Sequence, residues 1–131
     1  MALTIQLELN INRVNPYRPS QNVMATYHYI AASKSFLMED EALDEVLEER
    51  IRNYHQQEKE IDFWFVEQPA FLQSPEMAEV GDRIPKPAAA VITTDPQFIT
   101  WLKLRLEYVA SGQFDAPSAT ISDPLASLTA A

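Results

Sequence analysis

At 131 residues, with 47% hydrophobic side chains and six Phe, five Tyr and two Trp, the chain has material for one ordered domain and not for two. A net charge of −9 repels phosphate backbones, and no basic stripe alternates with the aromatics, which argues against a nucleic-acid partner. The absence of cysteine removes thiolate nucleophiles, disulfides, iron–sulfur ligation and cysteine zinc sites, and two glycines cannot build a loop that cradles phosphate.

The first 23 residues lack the basic start and apolar stretch of a signal peptide, and no run approaches the ~20 apolar residues of a membrane span. Ile5, Leu7, Leu9 and Ile11 alternate with Thr4, Gln6, Glu8 and Asn10 until Pro16 and Pro19 break the pattern. This segment could add an edge strand; the preferred reading is a flexible extension joined through Asn15–Asn22. Thr26–Ala32 is rich in aromatic and aliphatic residues and predicts a strand covered on both faces. Ser35–Asp40 turns into an acidic helix over Glu41–Glu58, in which Leu43, Val46, Leu47, Arg50, Ile51 and Tyr54 form a stripe facing the sheet. Glu48 and Arg52 lie one turn apart on it.

Glu60–Glu67 predicts a second strand, with Ile61, Phe63 and Phe65 on one side and Asp62, Trp64 and Val66 on the other. Apolar residues on both sides suggest a central position. Gln68–Ser74 is an irregular link, Pro75 opens a short helix towards Gly81, and Pro85 and Pro87 end that excursion. Ala88–Thr94 predicts a third strand of small residues. Asp95 then supplies an N-cap and Pro96 the first residue of a helix predicted to run to Gly112, a candidate left-handed cap. The apolar residues of that helix sweep roughly 220°, where a surface helix needs a little over ~100°. Both flanks therefore require cover. Arg105 falls near the middle of the arc and needs a carboxylate or a partner.

These elements divide the chain into an N-terminal extension (1–23), one globular domain (24–112) and an extended C-terminal tail (113–131) rich in Ser and Ala. Alternating strands and helices imply helices layered on a small sheet. Alternation alone favours parallel strands, but so few strands leave the direction open.

No catalytic constellation emerges. Neither His28 nor His55 has the acid three residues before it that a di-iron site requires, and they read as a sheet histidine and a solvated one. The carboxylates from Glu39 to Glu49 spread around the wet side of their helix, and no nucleophile-elbow motif is present. No metal or cofactor is expected. Two charges embedded in apolar elements stand out instead: Asp62 and Arg105. They predict an internal ion pair, two edge residues, or a recognition patch shared with exposed aromatics such as Phe63 or Trp101.

Tyr27–Ser33, Lys59–Trp64, Gln68–Leu72 and Phe98–Val109, followed by Phe114–Ser118 and Asp123–Leu128, closely resemble one family. It is the small accessory protein of the oxygen-dependent magnesium-protoporphyrin IX monomethyl ester cyclase of cyanobacteria and chloroplasts. The resemblance runs in order from Met24 to Leu128; the departures are the first 23 residues and His28, where an aromatic is common. It implies an α+β fold, an α/β sandwich with a mainly antiparallel sheet of three to four strands flanked by helices. It also implies a non-catalytic protein that supports assembly, stability or activity of the membrane-associated di-iron cyclase in chlorophyll biosynthesis. Such a protein would be cytoplasmic, or on the stromal side of a plastid, and held at the thylakoid or plasma membrane through that partner. Asp62 and Phe63 from the matching strand motif and Arg105 from the matching helix motif are the residues expected to bind the partner. The alternative is a carrier that brings tetrapyrrole substrate to the cyclase, suggested by the aromatic surplus and His28.

Overall fold

Tyr27 and Tyr29 project to one face of strand β1 (Ala25–Ser33), and His28 and Ile30 to the other, as the two-residue period of a strand requires. The computed structural model describes residues 23–128; the alternating segment and linker read at residues 1–22 lie outside the described residues, as do residues 129–131. After β1 comes a π-helical turn (Phe36–Asp40), then helix α1 (Leu43–Gln56) and strand β2 (Phe63–Glu67). Two 3-10 turns (Ala70–Gln73 and Pro75–Met77) lead into the short helix α2 (Ala78–Arg83). Strand β3 (Ala88–Thr93), helix α3 (Pro96–Arg105) and strand β4 (Ala110–Ala116) complete the order.

The four strands pair in the order β2-β3-β1-β4, and every pairing is antiparallel. The parallel arrangement favoured by simple alternation is thereby corrected, and the antiparallel sandwich holds. The position of β2 is also corrected: it lies at an edge, and β3, with all six residues buried, is interior. β2 reads as central because both its faces are covered, whatever its place in the hydrogen-bonded order. On one face Phe63 meets Tyr54 of α1 and Phe98 of α3, with ring centroids 5.4 and 5.3 Å apart. On the other face Phe71 packs between Tyr29 and Phe114, at 4.9 and 4.6 Å. Much of the chain's aromatic surplus is therefore spent inside the core.

The largest departure concerns the long helix. Asp95 caps it as expected, its Oδ1 accepting from the Gln97 amide at 3.0 Å, but the helix stops at Arg105. Leu106 is extended and buried, Tyr108 takes a left-handed φ of 61°, and the chain then forms β4 along β1. Phe98, Ile99 and Leu102, the buried residues of α3, span only about 100°. The excessive arc came from running a helix and the approach to a strand together.

Gly112 accordingly makes no helix cap. It lies in β4 opposite Tyr29, where a Cβ would come within 2.9 Å of the phenol oxygen. The boundary expected there is likewise no structural break, because Phe114, Ala116, Ile121 and Leu125 are buried in the common core. Ala126 and Leu128 run beside Gln68 and Ala70, with hydrogen bonds of 2.8 and 2.9 Å. The second glycine fixes how α2 seats: a Cβ on Gly81 would fall 2.6 Å from the Leu72 carbonyl oxygen, which belongs to backbone. Gly81→Ala is expected to destabilise the fold by about 1–3 kcal/mol, read as a lower urea midpoint at unchanged slope.

Candidate functional site

Asp62, Phe63 and Arg105 do not form one cluster. Asp62 sits immediately before β2 rather than within a strand, and its carbonyl accepts from Thr93 Oγ1 at 2.7 Å and the Thr94 amide at 3.2 Å. That places it beside the N-terminal end of α3, whereas Arg105 is the last residue of that helix. Ten residues at 1.5 Å per residue separate the two by about 15 Å along the axis. The internal Asp62–Arg105 ion pair is therefore absent among the described residues. Phe63 is fully buried, so the expectation that it is an exposed aromatic is corrected as well.

The cation that enters the apolar layer is Arg50, from the sheet-facing stripe of α1. Its guanidinium carbon lies 3.7 Å from the centroid of Phe98, 5.0 Å from Tyr54 and 5.5 Å from Phe63. One terminal nitrogen donates to the Tyr54 hydroxyl at 2.8 Å and reaches Asp95 Oδ2 at 3.4 Å, while Nε is buried with no hydrogen-bond partner. Tyr54 in turn donates a hydrogen bond from its hydroxyl to Asp62 Oδ1 at 2.8 Å, and Lys59 Nζ lies 4.5 Å from the Tyr54 ring centroid. A chain of hydrogen bonds thus runs from Arg50 through Tyr54 to Asp62. Arg50 takes the embedded position expected of Arg105, in keeping with its place in the sheet-facing stripe of α1.

At its far end α3 presents a different surface. Trp101 and Leu104 share a side of the helix with Arg105 and are 48% and 85% exposed, and Tyr108, on the turn beyond, is 87% exposed. Arg105 is exposed, with its guanidinium carbon 5.8 Å from the Trp101 ring centroid. Lys103 and Arg105 make this last turn basic on a chain of net charge −9 and complement the negative end of the helix dipole. An exposed apolar group of this kind, with an arginine laid beside it, has the composition of a protein-binding surface.

No group of three or more potential metal ligands occurs among the described residues, and His28 lies in β1 opposite Thr93 and Gln113. A cleft of about 370 Å³ near Leu72, Pro87 and Leu128 contains one charged residue, Lys86, whose Nζ donates to the Gly81 carbonyl at 2.7 Å.

Residues 25–116 match the family described as Ycf54 protein. The chain belongs to the Ycf54 family. The Ycf54-like protein of Synechocystis sp. PCC 6803 is 52% identical over 122 residues, covering 90% of this chain and 92% of that one. The chloroplastic protein YCF54 of Arabidopsis thaliana is 37% identical over 93 residues, covering 70% of this chain and 43% of the plant protein. Among solved structures, the All0216 protein of Nostoc sp. PCC 7120 superposes with a TM-score of 0.79 at 62% identity, covering 81% of this chain and 98% of that one. The Ycf54 protein of Synechocystis gives 0.77 at 55% identity, covering 81% and 99%. The resemblance read from the sequence is to this family, and the solved Ycf54 structures share the antiparallel α+β fold.

Within this Ycf54 chain, burial and the hydrogen bond to Asp62 push the Tyr54 phenol up to about 12 from its ordinary 10. The folded state therefore holds that proton more tightly than the unfolded chain. The stabilisation is complete below pH 10 and is lost as the pH rises through about 12. Tyr54→Phe is expected to cost about 1–2 kcal/mol at neutral pH, and to flatten the fall in stability above pH 10 in denaturant titrations.

Proposed function

We propose that this protein is a non-catalytic accessory factor that docks on the membrane-associated di-iron magnesium-protoporphyrin IX monomethyl ester cyclase and supports its assembly, stability or activity. Family membership supplies the biological context, and the observation that carries the reading is the exposed Trp101, Leu104 and Tyr108 beside Arg105. Large apolar side chains left in water are costly unless a second surface covers them, and arginine with aromatics supplies the usual energetic anchors of interfaces.

In this arrangement Arg105 is the direct contact and pairs with a carboxylate of the cyclase subunit. Asp62 contributes from the other end of α3, and Phe63 contributes from beneath by holding Tyr54 and Phe98 in place. Among the described residues no helix is long and apolar enough to cross a membrane; on this reading, membrane placement comes through the partner. The iron belongs to the partner, and this chain contributes surface rather than bond-making.

Arg105→Ala alters an exposed position and should leave the circular dichroism spectrum and melting point unchanged, while Trp101→Ala, which removes a half-exposed ring stacked on Phe98, should keep the spectrum and lower the melting point slightly. Each is expected to weaken capture of the cyclase subunit from a chlorophyll-making cell by about 1–2 kcal/mol, roughly five- to thirtyfold. Undiminished capture by the folded double variant contradicts the reading, as does conversion of the pigment precursor by the isolated chain.

A further inference from the structure

The docking surface occupies the C-terminal half of α3, and the first turn of that helix is tied to a cation. Phe98 lies under the Arg50 guanidinium at 3.7 Å, and Asp95, which caps the helix, faces the same guanidinium at 3.4 Å. Phe63 also bridges the two helices, meeting Tyr54 of α1 and Phe98 of α3, and the Arg50 guanidinium is the polar link beside it. On its other side Arg50 donates to Tyr54, which donates to Asp62 at the start of β2. One guanidinium therefore ties together α1, the approach to β2 and the N-terminal end of α3.

We propose that Arg50 is a positioning residue which, by stacking on Phe98 and pairing with Asp95, sets the orientation in which α3 presents Trp101, Leu104, Arg105 and Tyr108. The inference rests on the docking reading above and adds a residue that never touches the partner. It also accounts for how Asp62, about 15 Å from Arg105 along the helix, acts on the same surface: through Tyr54 and Arg50. The planar ion is required. Arginine can lie flat on an aromatic ring while its edge donates hydrogen bonds, whereas a lysine ammonium is a compact charge that cannot do both.

The test uses the full chain with Arg50→Lys, Arg50→Met and, for comparison, Arg105→Ala. Trp64 is 3% exposed and Trp101 48%, so acrylamide quenching of tryptophan fluorescence reports chiefly on α3. Amide hydrogen exchange over residues 98–105 reports on the same helix, and exchange over β3 reports on global unfolding. Both Arg50 variants are expected to speed exchange in α3 at least tenfold with β3 unchanged, to raise Trp101 quenching, and to reduce capture of the cyclase subunit at least fivefold. A merely structural residue would speed β3 and α3 together, and that result overturns the proposal. So does full rescue by lysine, or parental α3 exchange and quenching in Arg50→Met. Full capture by Arg105→Ala, alongside a loosened α3 in the Arg50 variants, overturns the docking reading instead.

Discussion

A guanidinium laid on aromatic rings joins the helical layer of this protein to its sheet. Arg50 meets Phe98 of α3, Phe63 of β2 and Tyr54 of its own helix, and shares hydrogen bonds with Tyr54 and Asp95. A charge so placed is tolerable because the Phe98 ring lies against it, a phenol and a carboxylate accept from its edge, and part of the side chain still reaches water. The buried Nε without a partner shows how completely the site is committed to stacking. The guanidinium links α1 to the first turn of α3, while Leu102 and Leu106 hold the buried side of that helix further along.

The sheet explains why the rest of α3 is free. All six residues of β3 are buried, which obliges elements to lie on both faces. One face takes the Phe71 turn and the chain around Ile121 and Leu125; the other takes α1 and α3. Phe98, Ile99 and Leu102 suffice for the second duty, leaving Trp101 and Leu104 outside the core. The unsatisfied apolar surface is thus a consequence of a ten-residue helix with a narrow buried face.

Much of this was legible in the residue order. The sheet-facing stripe of α1, the Asp95 cap with Pro96 behind it, and the small-residue strand β3 all follow from spacing and side-chain chemistry, and the structure places them within a few residues. The turn from α3 into β4 did not follow, because Leu106, Tyr108 and Val109 fit a helical period as well as they fit a chain crossing to a sheet edge. A signal was present: Phe114 and Ala116 are buried while Gln113 and Asp115 are exposed, the two-residue alternation of a strand, masked by its Ser, Ala and Pro surroundings. The exposed patch was illegible for a different reason. Periodicity finds apolar residues on a helix, but only the packed structure tells which of them the core has left outside.

The central claim is that the free side of α3 is where this Ycf54 protein meets its partner. Hydrogen-exchange footprinting of the purified complex with the cyclase subunit tests it most directly. Protection confined to peptides spanning Trp101–Tyr108 supports the account. Protection that instead falls along β4 or the Leu72–Lys86 cleft, with α3 exchanging as in the free protein, contradicts it.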